Sequence, residues 1–127
     1  PLEKAVLTSP EQNLTMDAAY LGEHRTLEFI WQDVPGATAY TFALYKRDAS
    51  GARKIVYSER NVRATLVRIK DLSILDVGTF EWSVTPYCYA KDGYLEQTGA
   101  VSSRTFRIYF ASPTRVETVQ PGKLYGN

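Results

Sequence analysis

The chain has 127 residues, 44% of them hydrophobic and 23% charged, which is typical of one folded domain. Its 15 basic and 14 acidic side chains leave a formal net charge of +1, which disfavours nucleic acid and anionic membranes as partners. The single cysteine, Cys88, excludes an intrachain disulfide, and no apolar run reaches the roughly 18 residues that a membrane-spanning helix requires.

The first predicted elements are short strands separated by turns. Residues 5–9 predict a strand, and residues 11–25 predict either a short edge strand or one helical turn. Alternating apolar and polar residues predict further strands over 27–32 and 39–46, separated by a turn that contains proline and glycine.

The second half of the chain continues this pattern. Strands are predicted over 54–58 and 64–69, and a connection with buried leucines follows over 70–78. The strongest alternation covers 79–89, and a last strand is predicted over 103–110. About seven short strands, with no stretch of helical period, predict an all-β sandwich or barrel.

Large aromatic side chains on the inward faces of these strands form the predicted core. Trp31 and Trp82 have the size needed to join two sheets that lie about 10 Å apart. The full set of predicted core residues is Trp31, Tyr40, Phe42, Phe80, Trp82 and Phe106.

Five short motifs add a more specific pattern. Ser-Pro lies within residues 7–10, Phe-x-Trp at 29–31, and Pro-Gly-Ala-x-x-Tyr at 35–40. Residues 75–84 read Leu-x-x-Gly-x-Phe-x-Trp-x-Val, and residues 103–108 read Ser-x-x-Phe-x-Ile. Together these motifs resemble bacterial fibronectin type III-like (immunoglobulin-like) domains. Phe80 stands where that family usually has tyrosine, so packing or a neighbouring tyrosine has to hold the corner that the hydroxyl would anchor.

The resemblance implies an all-β fibronectin type III or immunoglobulin-like sandwich of about seven antiparallel strands over residues 1–110. Residues 111–127 would then be a tail or linker, or would add a strand. It also implies a non-catalytic accessory or spacer module, in the periplasm or outside the cell, within a larger bacterial envelope or secreted protein. The partners would be other domains of the same polypeptide or another protein.

Catalytic and metal-binding patterns are weak throughout the sequence. His24 is the only histidine, and it has neither metal-ligand spacing nor a nucleophile-elbow motif near it. The aspartates fall in turns, where they stabilise the turn itself. Cys88 is expected to be a buried or half-buried thiol in a strand. The sequence therefore predicts a protein that is not an enzyme and holds no cofactor or metal.

A surplus of tyrosines provides the candidate binding surface. The residues outside the predicted core are Tyr45, Tyr57, Tyr87, Tyr89, Tyr94 and Tyr109. Tyrosine on a sheet face can simply pair across strands, contact a partner protein, or stack on the sugar rings of a glycan or peptidoglycan. These three interpretations stay open at this point.

Basic residues are enriched in one region only. Arg60, Arg63 and Arg68 follow Arg53 and Lys54 within a short stretch. Such residues protect an exposed edge strand from pairing with other chains, or they bind an anionic partner.

Overall fold

A computed structural model describes residues 2–110, so the predicted tail at 111–127 lies outside the described residues. Nine strands, one α-helix and one 3-10 turn (Leu72–Ile74) form within these residues. The α-helix and strands are β1 (Leu7–Ser9), β2 (Leu14–Met16), α1 (Ala18–Glu23), β3 (Leu27–Trp31), β4 (Ala39–Arg47), β5 (Arg53–Val62), β6 (Leu66–Ile69), β7 (Gly78–Tyr89), β8 (Leu95–Thr98) and β9 (Ser102–Ile108).

The strands form two sheets. The small sheet has the order β1-β3-β6, and the large sheet has the order β2-β9-β7-β4-β5, with β8 paired to the end of β7. All pairs are antiparallel except β2 with β9, which is parallel. Three strands facing four main strands in this order make a fibronectin type III-like, immunoglobulin-like sandwich. The fold class predicted from the sequence is confirmed.

The two strands beyond the predicted seven are β2 and β8. Residues 11–25 contain both alternatives that the sequence allowed, because β2 is a short edge strand and α1 is a short helix that follows it. Asp17 caps α1, since its carboxylate accepts a hydrogen bond from the Tyr20 N–H at 2.8 Å. All four residues of β8 are exposed, so it carries no alternation that the sequence could show.

The core lies between the sheets and is built from aromatic rings. The predicted core aromatics are all 2% exposed or less. Trp31 meets Tyr40 edge to face with ring centroids 5.5 Å apart, and Trp82 meets Phe29 in the same way at 5.2 Å. These contacts join the two sheets.

Packing, rather than a tyrosine hydroxyl, holds the chain in place at Phe80, near the start of β7. Its ring stacks on Phe106 with centroids 5.4 Å apart and is fully buried. A tyrosine hydroxyl instead anchors the turn between β3 and β4, where Tyr40 accepts from the Val34 N–H at 2.9 Å and donates to Asp33 at 3.1 Å. Burial of Tyr40 is the main cause that raises its pKa, and the nearby Asp33 carboxylate adds to it.

The two ends of the described chain lie at opposite poles of the sandwich. Ser102, at the start of β9, donates to the carbonyl of Ala5 at 2.6 Å. The far end of β9 pairs with Gly78, and the chain leaves there through Tyr109. Seven strand residues, or roughly 20 Å, separate these two points.

Candidate functional site

Tyr87 and Tyr89 form the one stacked tyrosine pair among the described residues. They are two positions apart on β7, so both rings stand on the outer face of the large sheet. Their centroids are 6.3 Å apart and their planes differ by 24°. Both rings are half-buried, so each keeps part of its surface in contact with solvent.

A bulge in β5 brings polar groups beside this pair. Phe42 of β4 faces Glu59, but Tyr40 faces Val62, which leaves two residues of β5, Arg60 and Asn61, without direct partners in the ladder. Asn61 has φ +56°, a left-handed conformation that asparagine tolerates better than most residues. Bulges of this kind redirect side chains at sheet edges.

The result is an open groove on the outer face of the large sheet. Two adjoining depressions of ≈ 410 and ≈ 690 Å³ share Asn61 and Tyr89 in their linings. We call this surface the tyrosine groove and define it by Thr41, Arg60, Asn61, Arg63, Tyr87 and Tyr89.

Thr38 holds the backbone beneath both rings. Its N–H donates to the carbonyl of Tyr87 at 2.8 Å, and its hydroxyl oxygen accepts from the Tyr89 N–H at 2.9 Å. These bonds continue the sheet ladder past the start of β4, so the strand that carries the tyrosine pair is ordered before any ligand arrives.

The groove carries positive charge. Arg60 and Arg63 lie in its lining, and no carboxylate does. The neighbouring Glu59 lies on the inner side of β5, where it accepts a hydrogen bond from the Tyr57 hydroxyl at 2.7 Å. Nothing within the lining therefore neutralises the two guanidinium groups.

Tyr45 has a different role on the same face of the sheet. The Arg53 guanidinium lies 4.3 Å from the centroid of its ring. Arg53 and Arg47 both bind the carboxylate of Glu81, which is only 6% exposed. Burial alone would raise the pKa of Glu81, but the hydrogen bonds and charges of the two arginines outweigh it and lower that pKa.

The remaining tyrosines are dispersed. Tyr57 points inward, 6.2 Å from the Phe42 ring centroid, and belongs to the margin of the core. Tyr94 is 75% exposed on the turn between β7 and β8, close to the tyrosine groove. Tyr109 is 57% exposed and lies at the opposite pole, beyond the end of β9.

A separate depression, of ≈ 530 Å³, lies beside α1 and includes His24 in its lining. The Nδ1 of His24 donates to the carbonyl of Tyr20 at 2.8 Å, because a carbonyl oxygen can only accept. The His24 ring also stacks on Tyr20 with centroids 4.0 Å apart. The histidine therefore closes the end of α1, a structural role that explains its position.

Metal and thiol chemistry are weakly supported. Within residues 2–110, no group of three or more His, Cys, Asp or Glu side chains is placed to hold a metal ion. Cys88 is half-buried on β7 with its Sγ 3.7 Å from a carboxylate oxygen of Glu96. Burial first, and the Glu96 charge second, raise the pKa of the Cys88 thiol, which lowers its reactivity.

Sequence reasoning singled out Tyr87, Tyr89, Arg60 and Arg63 but did not connect them. It missed Asn61, whose left-handed backbone forms the bulge that brings the arginine and tyrosine segments together. The only local signal is the break in alternation near the end of β5, where four consecutive polar residues, 58–61, precede the buried Val62.

Comparison with known proteins adds a structural likeness to this description. No family model matches the chain, and no curated protein matches it in sequence. Among solved structures, an Fn3-like protein from Clostridium thermocellum aligns with 86% of this chain and 93% of its own, at 12% identity and a TM-score of 0.44. Among residues 2–110, no helix has the length and apolar character needed to cross a membrane.

Proposed function

We propose that this domain is a non-catalytic binding module and that its ligand lies in the tyrosine groove. The observation that carries the proposal is the stacked Tyr87–Tyr89 pair, held at one end of a rigid sheet beside Arg60 and Asn61. Tyrosine rings offer flat apolar area with a polar tip, which suits recognition of a ligand that is itself part apolar and part polar.

The rigid support beneath the pair favours binding over a purely structural role. Thr38 fixes the backbone of both tyrosines, so little conformational entropy is lost when a ligand contacts their rings. By contrast, the ring of Tyr45 is already covered by Arg53 and offers less free surface.

The positions at which the described residues begin and end support a spacer role alongside binding. Ala5 and Tyr109 lie at opposite poles of the sandwich, an arrangement that lets domains be joined in series. A module joined in this way would carry the tyrosine groove on the outer face of the large sheet, at the pole where Ala5 lies. A periplasmic or extracellular setting, within a larger bacterial envelope or secreted protein, is part of this proposal.

A partner protein is the second candidate, and the β7–β8 hairpin favours it. Tyr94 and Leu95 are large side chains that are both exposed at this hairpin, and Leu95 pairs with Tyr89 across the strands. Exposed apolar residues next to a groove are a common feature of protein interfaces.

The test is a binding screen on the folded domain, by calorimetry or NMR titration, against a panel of oligosaccharides and the soluble proteins of an envelope extract. The variant Tyr89→Leu keeps β7 covered but removes the ring, and Tyr109→Leu is the matched control at the other pole. We expect Tyr89→Leu to weaken binding about tenfold or more and Tyr109→Leu to leave it unchanged.

Two results would contradict the proposal. The first is that no oligosaccharide binds saturably up to millimolar concentration, while a protein ligand binds the parent and the Tyr89→Leu variant with equal affinity. The second is equal binding by both variants, provided that their melting temperatures match the parent.

A further inference from the structure

The charge of the tyrosine groove identifies a class of ligand. We propose that the groove binds an acidic polysaccharide, with Arg60 and Arg63 binding carboxylates of the sugar units and Tyr87 and Tyr89 stacking on their rings. This inference rests on the proposed function, because it takes the tyrosine groove as the binding surface.

The first support is that the two arginines are free to bind. Neither Arg60 nor Arg63 has an ion pair or a side-chain hydrogen bond to any other described residue. Most other arginines act within the fold: Arg47 and Arg53 bind Glu81, Arg68 binds Glu28, and Arg104 donates to the carbonyl of Pro10. Arginine presents a planar fork that matches a carboxylate in two parallel hydrogen bonds.

The second support is that nearby carboxylates are occupied elsewhere. Glu59 accepts from Tyr57 on the inner face of β5. Asp92, in the turn beside the groove, accepts from the backbone N–H of Tyr94 at 3.1 Å. The groove lining itself contains two arginines and no carboxylate, on a chain whose total charge is nearly balanced, and an anionic ligand is complementary to it.

The third support separates a sugar from an acidic peptide. An extended peptide would bind by adding a strand to the free edge of β5, but two bulges divide that strand into regular runs of only three residues, 53–55 and 57–59. The groove lining also lacks a pocket of aliphatic side chains that would anchor a peptide. Its hydroxyl, amide and ring surfaces instead match the alternating polar and apolar faces of a sugar ring.

The test uses oligogalacturonate, alginate and hyaluronan fragments, each titrated into the folded domain at low ionic strength. Fully methyl-esterified oligogalacturonate is the matched neutral probe, because it has the same chain without the charges. A hexamer of glutamate is the peptide probe. We expect saturable binding of at least one acidic glycan, weakened about tenfold or more by salt at 0.5 M and absent with the ester.

A double arginine variant and a control variant test whether Arg60 and Arg63 provide the affinity for the acidic glycan. Arg60→Gln combined with Arg63→Gln is expected to lower affinity for the acidic glycan about tenfold or more, because each lost charge-assisted contact weakens binding. Arg68→Gln, on the small sheet and paired with Glu28, is the control and should bind as the parent does.

The outcomes separate this inference from the proposed function. Equal affinity for the ester and the acid, or full affinity of the double arginine variant for the acid, would overturn the proposal that the ligand is acidic. Glycan binding that depends on Tyr89 would still support the groove as the binding surface. Tyr89-dependent binding of glutamate hexamer without glycan binding would replace the sugar by a peptide. If no acidic glycan binds at millimolar concentration, this inference is overturned. Binding that Tyr89→Leu leaves unchanged would overturn the groove itself as the binding surface.

Discussion

Replacing Glu81 by glutamine removes the negative charge that Arg47 and Arg53 share on the outer face of the large sheet. In the folded protein its carboxylate accepts from Arg47 Nε at 3.1 Å and from Arg53 Nη1 at 2.8 Å. Glutamine has the same shape, but its amide nitrogen must face one guanidinium, donor against donor. The substitution therefore tests the charge without opening a cavity.

The expected cost follows from burial. Glu81 is almost fully buried, whereas the side chains of Arg47 and Arg53 are 42% and 49% exposed, so water screens the cations. A fully buried broken pair costs about 3–5 kcal/mol and an exposed pair about 0–1 kcal/mol, so Glu81→Gln should cost about 1–2 kcal/mol. Glu28→Gln is the control, because its pair with Arg68 is exposed on both sides and should cost under about 1 kcal/mol.

The lowered pKa of Glu81 determines how its contribution to stability changes with pH. The pKa of Glu81 is lower in the folded protein than in the unfolded chain, where it is about 4.3. Its contribution to stability is therefore complete above the unfolded-state pKa and is lost as the pH falls through the folded-state pKa. Urea denaturation at neutral pH should show the full difference between parent and variant, and below about pH 3 the difference should shrink. A difference that is equal at both pH values, or absent at neutral pH, would refute the reasoning.

Two further predictions concern stability. Trp82→Phe should cost about 1–2 kcal/mol and Trp82→Ala about 3–5 kcal/mol, because the fully buried ring joins the two sheets, and a near-native melting temperature for the alanine variant would contradict this role. Gly78→Ala should cost about 1–2 kcal/mol because φ is +151° there, whereas Gly22→Ala, on α1 with nothing within 4 Å of the added carbon, should be neutral or stabilising by up to about 1 kcal/mol. Thermal melts of both glycine variants check this, and equal effects would show that the backbone at Gly78 is not strained.

The fold was readable from local sequence because burial in a sheet repeats every two residues. Phe80, Trp82 and Val84 reveal the inner face of β7 without any knowledge of its partners. The same signal is absent from β8, which is exposed on every residue and pairs with the part of β7 that extends beyond β9.

Burial of Glu81 shows where local pattern stops being informative. Its position in β7 correctly places it on the outer face, away from the core. It is nevertheless buried, because Arg47 and Arg53 from two neighbouring strands lie over it. Contacts between strands that are distant in sequence decide this, and a period of two carries no information about them.

The tyrosine groove, too, is determined partly by the local sequence and partly by the tertiary structure. The sequence alone determined that Tyr87 and Tyr89 share the outer face of one strand and that Arg60 and Arg63 belong to a basic segment. Only the tertiary structure decided that the two segments meet. The meeting depends on the register between β4 and β5 and on a bulge at Asn61, and both are set by pairing across the sheet rather than by the order of neighbouring residues.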